Sequence, residues 1–383
     1  MVHIITRLEL GGAQQNTLTT CRALARAGYP VALVFGPGGE LDRDLDPLNG
    51  VELRPVPSLV RSIHPARDAR AVPAVRSVLA ELLDAHCGRG EPRQRFIVHT
   101  HSSKAGIVGR TAAASLGLPN VVHSIHGFPF HVGQPAPVFE AYVAAERAMA
   151  RITRVFVAVS RANVAEAQAR RIIEPQHRVE IIRSGMSLDP FRREGSRRAE
   201  NRSHLDLEPH RPVFAAIANL KAQKDPLTAV EAMRRVVDTL PDARLLYVGD
   251  GPLRPRVEAR IRELGLEAAV QLLGWRRDVP QLMSAADVIV LSSRFEGLPR
   301  SAVQAVAVGR PFVGNRVDGT PEIIRTGRDG FLVEPGRPGD LARAMIRAFR
   351  ERPVAPDTEA RLRSWSDTVL VDRQRALYED LTE

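Results

Sequence analysis

Between residues 292 and 311 the chain reads Ser-Ser-Arg-Phe-Glu296-Gly297-Leu298-Pro299-Arg-Ser-Ala-Val-Gln304-Ala-Val-Ala-Val-Gly-Arg-Pro, and Gly319-Thr-Pro-Glu322 follows shortly after. An apolar strand ends, a carboxylate stands in a turn shaped by glycine and proline, and a helix opens behind it. A carboxylate so placed accepts hydrogen bonds from hydroxyl groups, while the first amides of the helix present N–H groups and a positive dipole end to a phosphate. A purely structural turn accounts for the glycine and the proline. It does not account for a carboxylate exposed at the carboxyl edge of a sheet, which is the expectation for Glu296.

Two further segments carry the same chemistry. Asn219-Leu-Lys221-Ala-Gln-Lys224-Asp225-Pro lies between an apolar run and a helical pattern, where a lysine can bring a full positive charge to a ligand lying beyond the strand ends. The chain contains 51 arginines and only three lysines, so two lysines within four residues stand out. At the start, Leu10-Gly11-Gly12-Ala13 also joins a strand to a helix, and a glycine pair there lets backbone amides approach a phosphate. By itself that pair reads equally well as a tight turn.

Five histidines fall at 99, 101, 123, 126 and 131. His99 and His101 share one face of a strand end, but the spacing to the others matches no standard zinc pattern, and no metal is expected. His123 and His131 read as structural or acceptor-side residues. Asp42-Arg-Asp44-Leu-Asp46 imitates a calcium loop or an Asp-x-Asp site. As a calcium loop it has Pro47 where glycine is needed and Leu53 where the closing glutamate should stand, and as an Asp-x-Asp site it lacks a preceding apolar strand. It reads as a solvated acidic loop.

The elements that must position these residues alternate along the chain. Apolar runs at Val2–Thr6, Val31–Phe35, Glu52–Val56, Phe96–Thr100, Val121–Ile125 and Val155–Val159 predict strands, and amphipathic stretches at Gly12–Ala27, 67–86, 102–116, 137–151 and 161–172 predict helices between them. Residues 183–211, crowded with Arg, Glu, Ser and Pro, show no apolar period and read as a linker. The pattern restarts with strands at Val213–Ala218, Arg244–Val248, Val270–Leu273, Val288–Leu291 and Phe312–Gly314, and helices around 225–239, 252–264 and 300–308. The expected fold class is α/β with two parallel sheets: a domain over 1–182, a second over 212–355, and a tail helix over 356–383 beyond Pro353–Pro356. Neither half carries Gly-x-Gly-x-x-Gly, because Gly249-Asp-Gly251 is followed by Arg254. Hydride transfer through a dinucleotide fold is thereby disfavoured.

With 383 residues, 44% of them hydrophobic and 5% aromatic, the chain is that of a soluble globular protein large enough for two domains. Cys21 and Cys87 build no disulfide framework, the N-terminus has no signal-peptide pattern, and no run reaches the ~18 apolar residues of a span. The expectation is a cytoplasmic protein whose membrane contact, if any, is peripheral. The net charge of +10 is concentrated in residues 1–185, which hold 22 Lys and Arg against 15 Asp and Glu. No basic run is interleaved with aromatics, so nucleic acid is not the expected partner. An anionic membrane surface and phosphorylated small molecules remain.

Taken together, these segments are similar to those of the family 4 retaining glycosyltransferases of the GT-B fold, over nearly the whole chain. His99-Thr-His-Ser-Ser-Lys-Ala-Gly-Ile-Val-Gly-Arg110 and His123-Ser-Ile-His126-Gly-Phe-Pro-Phe130 resemble a subgroup that makes bacterial surface polysaccharides, and Ser184-Gly185-Met186 resembles the family's Asn-Gly-Ile/Val-Asp turn. The resemblance implies two Rossmann-like domains facing a cleft, with the tail helix returning to the first, Trp365 its anchor. It implies a nucleotide diphosphate sugar donor, UDP-linked in the simplest case, held by Gly11, Gly12, Asn219, Lys224, Glu296, Gly297, Leu298, Pro299 and Gln304, with no cofactor. His126 would stand beside the reacting sugar, Glu296 on the transferred sugar, and Lys224 on the phosphates. The family places a second glutamate on the ribose where this chain has Gln304, and an arginine where it has Asn219. The acceptor is left open, a lipid-linked saccharide being one class. Two alternatives stand beside transfer: a nucleotide-sugar epimerase on the same fold, and a catalytically inactive nucleotide-sugar-binding subunit.

Overall fold

A computed structural model describes residues 1–9, 11–45, 50–60, 64–87, 93–131, 133–355 and 358–383. Leu10, Asp46, Pro47 and Pro356, which figure in the sequence reading, lie outside the described residues. The chain divides into two compact units, Met1–Met186 with Ser364–Glu383, and Ser187–Arg363.

The first unit runs β1 (Val2–Arg7), α1 (Gly12–Arg26), β2 (Val31–Gly36), β3 (Val51–Pro55), α2 (Pro65–Cys87), β4 (Ile97–His101), α3 (Ser103–Ser115), β5 (Asn120–Ile125), α4 (Ala136–Ala150), β6 (Val155–Ala158), α5 (Arg161–Ala169) and β7 (Arg178–Ile181). Its seven strands are parallel in the order β3-β2-β1-β4-β5-β6-β7. The central strands are buried along almost their whole length because helices cover both faces, and their apolar residues alternate in β1, β4 and β5 with buried histidines. One face packs Leu18, Cys21 and Leu24 of α1, and the other packs Val75, Leu79 and Leu82 of α2 with Val108 and Ala112 of α3.

The second unit runs α6 (Asp189–Gly195), α7 (Arg198–His204), β8 (Val213–Ile217), α8 (Pro226–Thr239), β9 (Arg244–Val248), α9 (Arg254–Glu263), β10 (Val270–Gly274), α10 (Val279–Ala285), β11 (Val288–Leu291), α11 (Arg300–Ala307), β12 (Phe312–Asn315), α12 (Thr320–Ile323), β13 (Gly330–Val333), α13 (Pro338–Glu351) and α14 (Thr358–Arg363). Its six strands are parallel in the order β10-β9-β8-β11-β12-β13. Chain order reverses between β8 and β11, the place where open α/β sheets leave a crevice beyond their carboxyl ends.

Two expectations are corrected. Residues 183–211 are not an irregular linker: α6 and α7 belong to the second unit and pack on α10. Helices of seven residues are too short to show a period, and polar groups hold them. The carboxylate of Asp287 accepts from Val213 N at 2.9 Å and pairs with buried Arg202 at 3.4 Å and with Arg198. The tail is likewise not one helix. It breaks at Ser364–Ser366, where the Ser366 hydroxyl caps α15 (Asp367–Thr382) by accepting from Val369 N at 3.2 Å. The edge strands β7 and β13 went unpredicted, as did α13, whose arginines mask an apolar face of Leu341, Ala342, Met345 and Ala348.

The helix α15 completes the first unit. Leu370, Leu377, Tyr378 and Leu381 enter the same core as α1, and Trp365, 3% exposed, accepts from Met186 N through its carbonyl at 3.0 Å. The approach is so close that a Cβ on Gly185 would stand 2.7 Å from both Leu370 Cβ and the Ser366 carbonyl. The glycine of the Ser184-Gly185-Met186 turn is thereby accounted for. Among the described residues no helix is long and apolar enough to cross a membrane.

Candidate functional site

Each unit carries its own group of candidate residues. In the second unit β8 and β11 are hydrogen-bonded neighbours, and the loops leaving them bring Lys224 and Glu296 together as an ion pair through Nζ and Oε1. The two loops are stitched by backbone. Ser292 Oγ donates to the carbonyls of Asp225 and Lys224 at 2.8 and 3.0 Å, Arg294 N donates to Gln223 O at 2.8 Å, and Gln223 Nε2 donates to Phe295 O at 3.0 Å. Asn315 at the end of β12 donates to the carbonyls of Ser292 and Ser293, both at 2.9 Å. The amide of Glu296 donates to the Asp318 carboxylate. Asp225, in the left-handed region at φ 45°, turns the chain into α8 while its carboxylate accepts from Thr228 Oγ1 and Arg294 Nε, each at 3.0 Å.

Glu296 is therefore not the exposed carboxylate that the sequence suggested. It is 8% exposed, and its burial is compensated by Lys224, whose side chain stays 21% exposed. Gly297 accepts from Gly319 N at 3.2 Å, Leu298 is buried, and Pro299 precedes α11 with no side chain capping the helix start. Gln304 lies half-buried one turn into that helix. Asn219 follows the end of β8, on a loop that β9 crowds: a Cβ on Gly249 would stand 2.1 Å from Ala218 O, and one on Gly251 2.6 Å from Leu220 O. The two glycines that resembled a dinucleotide motif thus permit close approach of two backbones. Asp318, Ser292 and Asn315 position the site and were not singled out in the sequence, where each is an ordinary polar residue after a strand.

In the first unit, α1 opens at Gly12 with Gly11 as its N-cap, without a capping side chain or an acidic residue in the first turn. Gly11 has φ −159° and so needs no glycine for its backbone, and the atom nearest a Cβ there would be the mobile end of Gln14. His126 follows β5. Its Nε2 lies 3.2 Å from His101 Nδ1, and His101 Nε2 lies 3.0 Å from His3 Nδ1. His3 pairs in register with His99 across β1 and β4, which puts His3, His99 and His101 on one sheet face. Their ligating nitrogens lie within 4.8 Å of one another, a group able to hold a metal that the sequence reading missed because residue 3 is so distant. His99 is satisfied on both sides, by Tyr378 Oη at 2.5 Å and Ser124 Oγ at 2.7 Å. His123 lies on the opposite face, bonded to Thr100 Oγ1 at 2.9 Å.

Burial penalises the charged form of every one of these rings: it brings His3 down to about 3 and His126 to about 4, and holds His99, His101 and His123 well below the ordinary histidine value. Neutral imidazoles fill this region at pH 7. Within the acidic loop the Asp42 carboxylate accepts from Gly38 N at 2.6 Å and Gly39 N at 3.2 Å. A groove of about 1120 Å³ in the same unit is lined by Arg7, Arg67, Arg70, Glu9 and Tyr142 among others.

Comparison with known proteins agrees with both halves. Residues 11–185 match the glycosyl transferase 4-like domain family, and residues 211–351 match glycosyl transferases group 1. The chain is 28% identical over 355 residues to the Escherichia coli UDP-Gal:alpha-D-GlcNAc-diphosphoundecaprenol alpha-1,3-galactosyltransferase, covering 92% of this chain and 88% of that protein. It is 28% identical to the alpha-D-kanosaminyltransferase of Streptomyces kanamyceticus over 65% of this chain and 67% of that one. Among solved structures, sucrose-phosphate synthase of Thermosynechococcus elongatus matches with a TM-score of 0.82 at 20% identity, covering 99% and 98% of the two chains. HepE of Anabaena in complex with UDP matches at 0.77 and 18%, covering 99% of each. Two parallel sheets of this topology, with domain matches over both of them, settle the matter: the chain belongs to the family 4 glycosyltransferases of the GT-B fold, enzymes that pass a sugar from a nucleotide sugar to an acceptor.

Proposed function

We propose that this protein moves a sugar from a UDP-linked donor to a saccharide carried on a polyprenol diphosphate, with retention of anomeric configuration and without a metal. The Lys224–Glu296 pair at the reversal point of the second sheet carries this reading. An ammonium beside an uncapped helix start supplies the fixed positive charge that a departing diphosphate needs, and the carboxylate supplies an acceptor for sugar hydroxyls. Donor binding must share or displace the ion pair, because Lys224 and Glu296 satisfy each other in the free protein. The complexes of HepE with UDP and with UDP-glucose support a uridine donor, and the diphosphoundecaprenol named for the Escherichia coli relative supports the acceptor class. The groove at Arg7, Arg67 and Arg70 suits the acceptor's diphosphate, with peripheral contact to an anionic membrane.

No carboxylate stands out as a nucleophile, so acceptor attack and leaving-group departure would share one face of the sugar, the donor phosphate receiving the acceptor's proton. The test is an assay with UDP-sugars and polyprenol-diphosphate saccharides in excess chelator. An α-linked product from an α-linked donor supports the proposal. An isomerised nucleotide sugar without acceptor, or binding without turnover on every acceptor, would replace it with the epimerase or the inactive subunit.

The departure at Gln304 gives a sharper expectation. Its amide carbonyl accepts a ribose hydroxyl, while a carboxylate would accept more strongly: bonds to charged groups contribute ~1.5–3 kcal/mol against ~0.5–1.5 for neutral ones. Gln304→Glu should tighten UDP-sugar binding by roughly 1 kcal/mol, about fivefold. It should also discriminate more sharply against the 2′-deoxyribose donor. Unchanged discrimination in titration calorimetry would put the ribose elsewhere.

A further inference from the structure

The rings of His3, His101 and His126 form one continuous hydrogen-bonded chain from the core of the first sheet to the end of β5, through contacts of 3.0 and 3.2 Å. Each contact joins two ring nitrogens and so holds one proton. Neutral imidazoles carry one N–H each, so only two arrangements satisfy both contacts: every N–H directed toward His126, or every N–H directed away from it. The two differ at the ends. With the protons directed toward His126, that ring holds its own proton on Nδ1 and His3 Nε2 is a bare lone pair. With the protons directed away, His126 Nδ1 is bare and His3 Nε2–H is a buried donor.

The inner end decides between them. His3 is fully buried, and its Nε2 has no hydrogen-bond partner among the described residues. Folded proteins leave buried acceptors unsatisfied far more readily than buried N–H groups. From this geometry we infer that His3 and His101 are positioning residues, which place the proton of His126 on Nδ1 and make that ring a hydrogen-bond donor toward the ligand rather than a base. An imidazole left to water prefers the opposite tautomer, with Nε2 protonated. The ligand atom that such a donor suits is an oxygen gathering negative charge, on the transferred sugar or the departing phosphate. That last step rests on the reading of His126 as a neighbour of the reacting sugar, whereas the placement of the proton does not. The three histidines at 3, 99 and 101 could instead surround a metal, but at 3.0 Å His3 Nδ1 and His101 Nε2 are already as close as a shared proton brings them.

The experiment is a long-range proton–nitrogen correlation spectrum of the full chain carrying ¹⁵N-histidine at pH 7.5, with the His126 signals identified by their loss in His126→Gln. Nδ1 of His126 is expected to appear protonated and Nε2 bare. In His101→Ala, which leaves room for water at Nε2, the ring should revert to Nε2–H and kcat should fall about tenfold with KM for the donor within about twofold. In His101→Asn, whose amide can donate in place of Nδ1–H, tautomer and rate should be largely retained. Protonated Nε2 in the wild-type spectrum would overturn the inference, as would one equivalent of metal retained by the purified protein. Both measurements are made on the native chain, so they decide the matter even where the His101 variants fail to fold. A correct tautomer with no rate effect in His101→Ala would uphold the proton placement and remove His126 from the reacting sugar.

Discussion

Replacing Lys224 with alanine is expected to lower turnover about 10²–10³-fold and to weaken donor binding as well. A fixed positive charge at a developing diphosphate has the magnitude of an oxyanion-hole donor. The family resemblance implies a second cation where this chain has Asn219, so less would remain to compensate. The substitution also leaves Glu296 without its partner at 7% side-chain exposure, and breaking a buried pair costs about 3–5 kcal/mol before any relief from protonation or water. The double variant Lys224→Ala with Glu296→Gln separates the two effects: it should recover most of the melting temperature and none of the turnover. His126→Ala provides the contrast, lowering kcat while donor affinity stays close to wild type, as expected of a group felt mainly in the transition state. If the two single variants share one kinetic pattern, the roles assigned to them fail.

Lowering the pH from 7.5 to 5 is expected to unfold the first unit well before the second. The sign follows from burial. Folded-state values lie below the unfolded histidine value of 6.5, so the stability these rings allow is present above 6.5 and is lost as pH falls toward the folded values of about 3 for His3 and about 4 for His126. At pH 5 each of these two costs about 2 kcal/mol relative to the unfolded chain, about 4 kcal/mol together, from 1.36 kcal/mol per pH unit. His99, His101 and His123 act in the same direction. A domain stable by ~5–15 kcal/mol cannot ignore such a loss. The second unit's histidines, His204 and His210, are exposed. Hydrogen exchange at the two pH values should show protection lost from β1, β4 and β5 first, and uniform loss across both units would contradict the account.

Much of this was legible before any coordinates. Val31–Gly36 and Val288–Leu291 announced themselves as strands because a parallel sheet covered on both faces favours unbroken apolar runs. The edges did not: β7 alternates Arg178 and Glu180 with Val179 and Ile181, a pattern shared with loops, and β13 is four residues long. Lys224 and Glu296 could be picked out because each stands between a strand and a helix, whereas their pairing depends on strand order, which local sequence does not encode. The histidine chain shows the same limit: 98 residues separate His3 from His101, and only the register of β1 against β4 makes them neighbours.

That the last helix of the chain belongs to its first unit has a consequence for biosynthesis. During translation β1 through β7 emerge first, yet the face of their sheet that carries His3, His99 and His101 is covered by α1 alone until Leu370, Leu377, Tyr378 and Leu381 leave the ribosome, after the whole second unit. At ~5–20 residues per second the roughly 180 intervening residues take on the order of ten seconds or more. For that interval the nascent chain presents a partly open apolar face interrupted by neutral imidazoles, a surface suited to a chaperone. The second unit, contiguous from Ser187 to Arg363, can finish folding while the first still waits for its final sixteen-residue helix.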